Sequence, residues 1–227
     1  MLDPGLKPSA TSVPVYSIAA AHLPSTISQY GILFNSGARR MERPDDGEWK
    51  ARILRIRGEK DEWMRTSPDS PMPDDIRHHM KWLEYFPPNR EYIFRVRLIP
   101  YPNPETLMMA TSKGQQKEFL RFGRIEFGIE GKMQTLQAYR SVPSHDHRHE
   151  EESLFVPFRD ATSGKETYGA ARYLDLEFNP SGEYVLDFNL AYNPYCAYSE
   201  DYICPFPPPE NWLKVAILAG EKTFRKE

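Results

Sequence analysis

The sequence predicts a mainly β protein: a single antiparallel β-barrel or sandwich-like domain with an N-terminal helical arm. Three observations predict it. From Tyr92 onward, apolar and polar residues alternate in short runs, the period of a half-buried strand. Turn residues separate the runs, at Lys113-Gly114, Glu130-Gly131 and Asn179-Pro180-Ser181-Gly182. Helical segments do not alternate with the strands, as a parallel sheet would require.

The elements follow in order. Residues 1–46 show no core-forming periodicity and read as a loosely ordered extension, which leaves 47–227 as one β-rich domain. Residues 48–66 read as a helix. Trp49, Ile53, Ile56, Trp63 and Met64 recur at helical spacing, and Lys and Arg fill the other face. Gly58 weakens that helix by about 1 kcal/mol relative to Ala, which favours a bend there. Ser67-Pro68 stops it, and Pro73 with Asp74 and Asp75 starts a short second helix over 74–82. Strands are then expected at 92–98, 106–112, 119–129, 133–139, 154–158, 171–178, 184–189 and 214–218. Tyr92, Phe94, Val96 and Leu98 share one face of the first, with Arg95 and Arg97 on the other. Glu130-Gly131 suits a tight hairpin between the third and fourth, and Asn179–Gly182 one between those at 171–178 and 184–189.

Composition narrows the function classes. The net charge of −3 supplies no basic field for nucleic acid. No apolar run approaches the roughly 20 residues that span a bilayer. Residues 13–27 are only mildly apolar and follow Asp3 and Lys7 rather than a basic region, unlike a secretory signal. No Arg precedes Arg39, unlike a mitochondrial presequence. With two cysteines and no such signal, a soluble protein of the reducing cytoplasm is expected.

Most of the unusual residues gather between Leu154 and Glu221. Three stretches there, FVPFRDATSGKETYGAARYLDL, DFNLAYNPYCAYSEDYICPFPPPENWL and the closing AGEK, join an upstream SPMPDDIRHHMKWLEYFPPNREY. Together they resemble the domain-of-unknown-function family 1684 of bacteria, archaea and fungi over roughly residues 49–222. The resemblance implies no activity, cofactor or catalytic residue. Two features depart from the family pattern: Trp212, where Arg is frequent, and the histidine-rich run from His145 to His149.

Four constellations carry the chemistry. His145, His147 and His149 offer imidazole nitrogens, but they lie in a polar, Pro143-led loop without the support metal ligands need, so no metal site is expected. Cys196 and Cys204 lack paired zinc or redox spacing. Buried reduced thiols lead for them, a bridge comes second, and a nucleophile last, because no His follows His149 to act as base. The polar set Asp160, Arg172, Asp187, Asn189, Asn193, Glu210 and Asn211 is read either as buried ion pairs or as a site. Turn 179–182 is expected to bring Arg172 near Asp187. The fourth is the aromatic belt Tyr168, Tyr173, Tyr184, Tyr192, Tyr195, Tyr198, Tyr202 and Phe206, which suits a ligand-lined wall.

These readings converge on a candidate polar-aromatic pocket of Arg172, Asp187, Asn189, Tyr192, Asn193 and Glu210. Small-molecule binding without a cofactor is the leading expectation. A cofactor-independent acid/base enzyme using Asp, Glu, Tyr or Arg in the same pocket is the alternative. A structural or interaction protein docking a partner through the Tyr/Pro-rich loop is the third.

Overall fold

The computed structural model describes residues 45–80, 82–142 and 153–225. Most of the expected N-terminal extension and the run from His145 to His149 lie outside them. Helix α1 spans Asp46–Thr66 and runs unbroken through Gly58. Asp46 and Glu48 in its first turn and Arg65 in its last complement the helix dipole. Its buried stripe is Ile53, Arg57, Asp61 and Met64. The charged residues expected on the solvent face thus supply half of the packed one. Helix α2 is shorter than expected, Asp74–Arg77.

Six strands make one antiparallel, nearly closed barrel-like sheet among the described residues: β1 (Ile93–Ala110), β2 (Gln116–Ile129), β3 (Lys132–Ser141), β4 (Ser153–Phe158), β5 (Arg172–Glu177) and β6 (Glu183–Asp187), in the order β5-β4-β3-β2-β1-β6. The two strands expected at 92–98 and 106–112 are one continuous β1. Its first half pairs with β6, and from Leu98 on it pairs with β2. The register breaks between Pro100 and Glu105, where three prolines have no N–H to give the ladder. β2 and β3 form the expected hairpin: Glu130 and Gly131 both adopt positive φ, 51° and 70°, as a two-residue mirror-image turn demands.

β5 and β6 do not form the hairpin expected of them. They lie at opposite edges of the sheet, although only residues 178–182 join them. Laid flat, six strands would set those edges about 24 Å apart. A link of this length reaches about 20 Å fully extended, and this one is folded by a Gly182 N to Asn179 O bond of 3.0 Å. The sheet must therefore curl until its edges approach. Residues beyond β6 complete the closure: Tyr173 and Tyr192 exchange backbone hydrogen bonds of 2.8 and 3.1 Å.

The interior is apolar. Leu98, Ile125, Phe127, Leu136, Leu154, Val156, Phe158, Leu174, Leu186 and Phe188 pack together inside the curl. The strand expected at 214–218 is absent, yet its alternation is real: Leu213, Val215, Ile217 and Ala219 are buried, while Lys214 and Leu218 are exposed. This is an extended strap, and its polar backbone groups are met by side chains and a loop instead of a neighbouring strand.

Candidate functional site

The polar residues singled out in the sequence fall into separate groups. Arg172, 1% exposed, opens β5 and points to the strap. Its guanidinium donates to Ile217 O at 2.9 Å and to Ala219 O, and faces Asp160 at 3.3 Å. Asp160 in turn accepts from Ile217 N at 2.6 Å and Thr162 Oγ1 at 2.9 Å. Arg172 is therefore paired with Asp160, not Asp187, because β5 and β6 are not neighbours. Asn211, fully buried, performs a similar service, donating to Pro157 O at 2.7 Å and Gln137 O at 3.0 Å.

Asp187 ends β6 and caps the turn that follows, accepting from Asn189 N at 2.9 Å and Asn189 Nδ2 at 2.8 Å. Burial pushes its pKa up, and the Asn189 and Trp49 donors pull the other way. Asn189 locks onto the backbone of Asn89 through two 2.8 Å bonds. Its carbonyl accepts from Arg57, which also donates to Phe86 O at 2.7 Å and stacks over the Tyr85 ring at 4.6 Å.

Glu221 is the centre of the second network. It is 1% exposed and accepts from Asn193 N and Tyr198 Oη, both at 2.8 Å, and from Lys60. Beside it Asp61 accepts from Tyr85 Oη at 3.1 Å. Burial pushes the Asp61 carboxyl up to about 6, with Tyr85 and the Leu83 amide opposing. A raised pKa means that the folded chain holds this proton more tightly than the unfolded one. The contribution is favourable below about pH 4 and is lost as pH climbs through 6. Asp61→Asn keeps the acceptor oxygen and removes the buried charge. It should stabilise the protein at pH 7.5 by up to about 3 kcal/mol. It should also flatten the stability change between pH 4 and 6. Urea melts across that range check it, and an unchanged slope would remove Asp61 from the titration.

Glu210 stands apart from both networks. Its Oε1 accepts from Arg121 Nη2 at 2.6 Å and Tyr139 Oη at 3.1 Å, with about a third of its side chain exposed. Of the six residues expected to share one pocket, Tyr192 and Asn193 are neighbours in the Lys60–Glu221 network and Asp187 and Asn189 are bonded to each other. Arg172 adjoins that network, reaching Glu221 O at 3.4 Å as well as the strap, and Glu210 alone stands apart from it.

The aromatic belt divides by exposure. Tyr173 and Tyr198 are buried, and Tyr173 Oη is bonded to Pro205 O at 2.5 Å. Tyr168, Tyr192, Tyr195 and Tyr202 are half-buried. Tyr195 and Tyr202 meet edge to face at 5.1 Å, and Tyr192 donates to Asp175. Asp175 and Asp69 both act on Tyr195, and Asp69 on Tyr202, raising the phenol pKa values that burial has already lifted. Lys60 lies over the Tyr192 ring at 5.2 Å while bound to Glu221.

Cys196 and Cys204 are free and sit on this same loop. Cys204 is buried as expected, but Cys196 is half-exposed. The Cys204 sulfur accepts the Cys196 amide at 3.3 Å, and Tyr168 Oη lies 3.7 Å from Cys196 Sγ. A hydrogen bond from Cys204 draws the Cys196 thiol down to about 7 against the opposing effect of burial, and it holds the Cys204 thiol up. The groups beside Cys196 among the described residues are the Cys204 thiol and the Tyr168 phenol, both of which hold their protons more tightly than usual. Among the described residues, no three His, Cys, Asp or Glu side chains are grouped to hold a metal, and no helix is long and apolar enough to cross a membrane.

Fold and surface together define a curled six-stranded antiparallel domain, strapped by its C-terminal segment and faced by a tyrosine-rich loop. The chain belongs to the family described as "Protein of unknown function (DUF1684)", whose model matches residues 78–222. It is similar to an uncharacterized protein of Haloarcula marismortui solved by solution NMR. The two are 35% identical, with a TM-score of 0.60, over 79% of this chain and 96% of that one. The search of curated proteins returned no match.

Proposed function

We propose that the protein binds a small organic cation on the tyrosine face of residues 192–204. The observation that carries this reading is the cluster of half-buried Tyr192, Tyr195 and Tyr202 rings beside the Asp69 and Asp175 carboxylates. Aromatic faces attract cations by about 0.5–2 kcal/mol each, more as water is excluded. The Lys60 ammonium over the Tyr192 ring is bound to Glu221. Of the expected pocket residues, Tyr192 contacts the ligand, Asn193 fixes its backbone, and Arg172, Asp187 and Asn189 hold the wall from behind. Glu210 lies outside. Acid/base chemistry at Asp61 is the weaker reading, because that carboxylate is 7% exposed and committed to Tyr85.

Calorimetric titration with benzyltrimethylammonium, benzylamine, benzyl alcohol and benzoate tests the charge requirement. The two cations should bind at least about tenfold more tightly than the neutral and anionic ligands, a difference of 1.4 kcal/mol. Tyr195→Ala with Tyr202→Ala should weaken cation binding about 5- to 30-fold, as two ring faces are lost. Equal affinity for benzoate, or binding indifferent to both tyrosines, would overturn the proposal.

A further inference from the structure

The loop between Tyr192 and Pro205 also carries chemistry that ligand binding does not use. We infer that Cys196 and Cys204 form a dithiol site that exchanges with small disulfides, Cys196 attacking and Cys204 resolving. This does not depend on the cation-binding reading.

Three observations point to it. First, the loop folds back so that the two cysteines meet. The Cys196 amide donates to Cys204 Sγ at 3.3 Å. Second, their exposures differ in the sense exchange requires. Cys196 is half-exposed, within reach of a dissolved disulfide, while Cys204 is 5% exposed and reachable only by Cys196. Third, Cys204 is fixed by its scaffold. Its amide donates to Ser112 Oγ at 3.1 Å, its carbonyl accepts from Ser112 N at 3.0 Å, and Phe206 N reaches Ala110 O at 2.7 Å. Cys196 sits instead in a single 3-10 turn, Tyr195–Ala197.

The chemistry balances with one co-reactant, a low-molecular-weight disulfide. The Cys196 thiolate attacks one sulfur of the disulfide, whose S–S bond breaks. One thiolate leaves and takes a proton from solvent. The Cys204 thiol then loses its proton and attacks Cys196 Sγ, forming the intramolecular bond and expelling the second thiolate. The protein gives up two electrons and two protons, and the small disulfide becomes two thiols. A thiol that ionises near neutrality is well matched to the first step, since a much weaker acid is mostly protonated and a much stronger one is a poor nucleophile. Tyr168 Oη, 3.7 Å from Cys196 Sγ, steadies the negative sulfur.

The native full-length chain incubated with oxidised glutathione, then quenched and alkylated, tests this by mass. Wild type should lose two hydrogens, with neither thiol alkylated and no lasting glutathione adduct. Cys204→Ser should stop at one glutathione on Cys196. Cys196→Ser should react at least about tenfold more slowly, because the remaining thiol is buried. The wild-type rate should rise through pH 7. Both wild-type thiols surviving an excess of oxidised glutathione, a persistent adduct in place of the bridge, or equal reaction of a Cys196→Ser chain that keeps the wild-type Tm would each overturn the inference. The wild-type result stands without either variant, so a misfolded substitution cannot decide the outcome.

Discussion

Arg172→Ala should destabilise the protein by about 3–5 kcal/mol, lowering Tm by roughly 10 °C, since breaking a buried ion pair strands its partner. Arg172 is 1% exposed and holds the strap through Ile217 O, Ala219 O and Asp160. Its loss leaves the buried Asp160 carboxylate without its cation and takes a charged donor from the carbonyls of Ile217 and Ala219. Arg172→Lys should recover little, because one ammonium cannot reproduce the planar fork. Differential scanning calorimetry reads both. A wild-type Tm for Arg172→Ala would mean that the guanidinium is kept for a ligand and not for the strap.

Gly220→Ala should be comparably damaging, costing about 3 kcal/mol or more. Gly220 adopts φ +78°, and a Cβ there would lie 2.6 Å from Ala191 O, 2.7 Å from Phe188 O and 2.8 Å from Ala191 Cβ. Backbone on one side and a strained dihedral on the other leave nothing flexible to move. The neighbouring Glu221 would lose its alignment with Lys60, Asn193 and Tyr198. Gly58→Ala is the contrasting control: its Cβ meets nothing within 4 Å, and Ala in place of Gly in an exposed helix stabilises by about 1 kcal/mol. Chemical denaturation of the two variants should therefore move in opposite directions. A stable Gly220→Ala chain would show that the closing turn can rearrange.

The parts of the fold legible in the sequence were those fixed locally. Val96, Leu98, Arg95 and Arg97 alternate between buried and exposed in the fold as they do in the sequence, and Glu130-Gly131 makes the expected hairpin turn. What failed was non-local. The Asn179–Gly182 turn was visible, but a turn does not disclose whether its flanking strands pair or sit at the two edges of a curled sheet. The run 214–218 had the period of a strand and the burial of one, but its carbonyls are met by Arg172 across 45 residues of chain. Arg57 and Asp61 resembled a solvated helix face because charges at that spacing usually are one. Their partners, Phe86, Asn189 and Tyr85, are distant in sequence. For the site, the tyrosine-rich loop was conspicuous from composition alone. Alternation within strands says nothing about which strands adjoin, so it could not show that Arg172 pairs with Asp160 in place of Asp187, or that Glu210 meets Arg121 and Tyr139. Glu221 carried no signal beyond the closing AGEK.

The central claim is a division of labour: buried polar networks hold the domain together, and the half-buried tyrosines recognise the ligand. Chemical-shift mapping of the labelled protein with benzyltrimethylammonium tests that division most directly. Shifts should concentrate at Asp69, Asp175 and residues 192–204, leaving Asp187, Arg121 and Glu210 unmoved. Shifts centred on Glu210, Arg121 and Tyr139, or on Asp187 and Asn189 with the tyrosine loop silent, would contradict it.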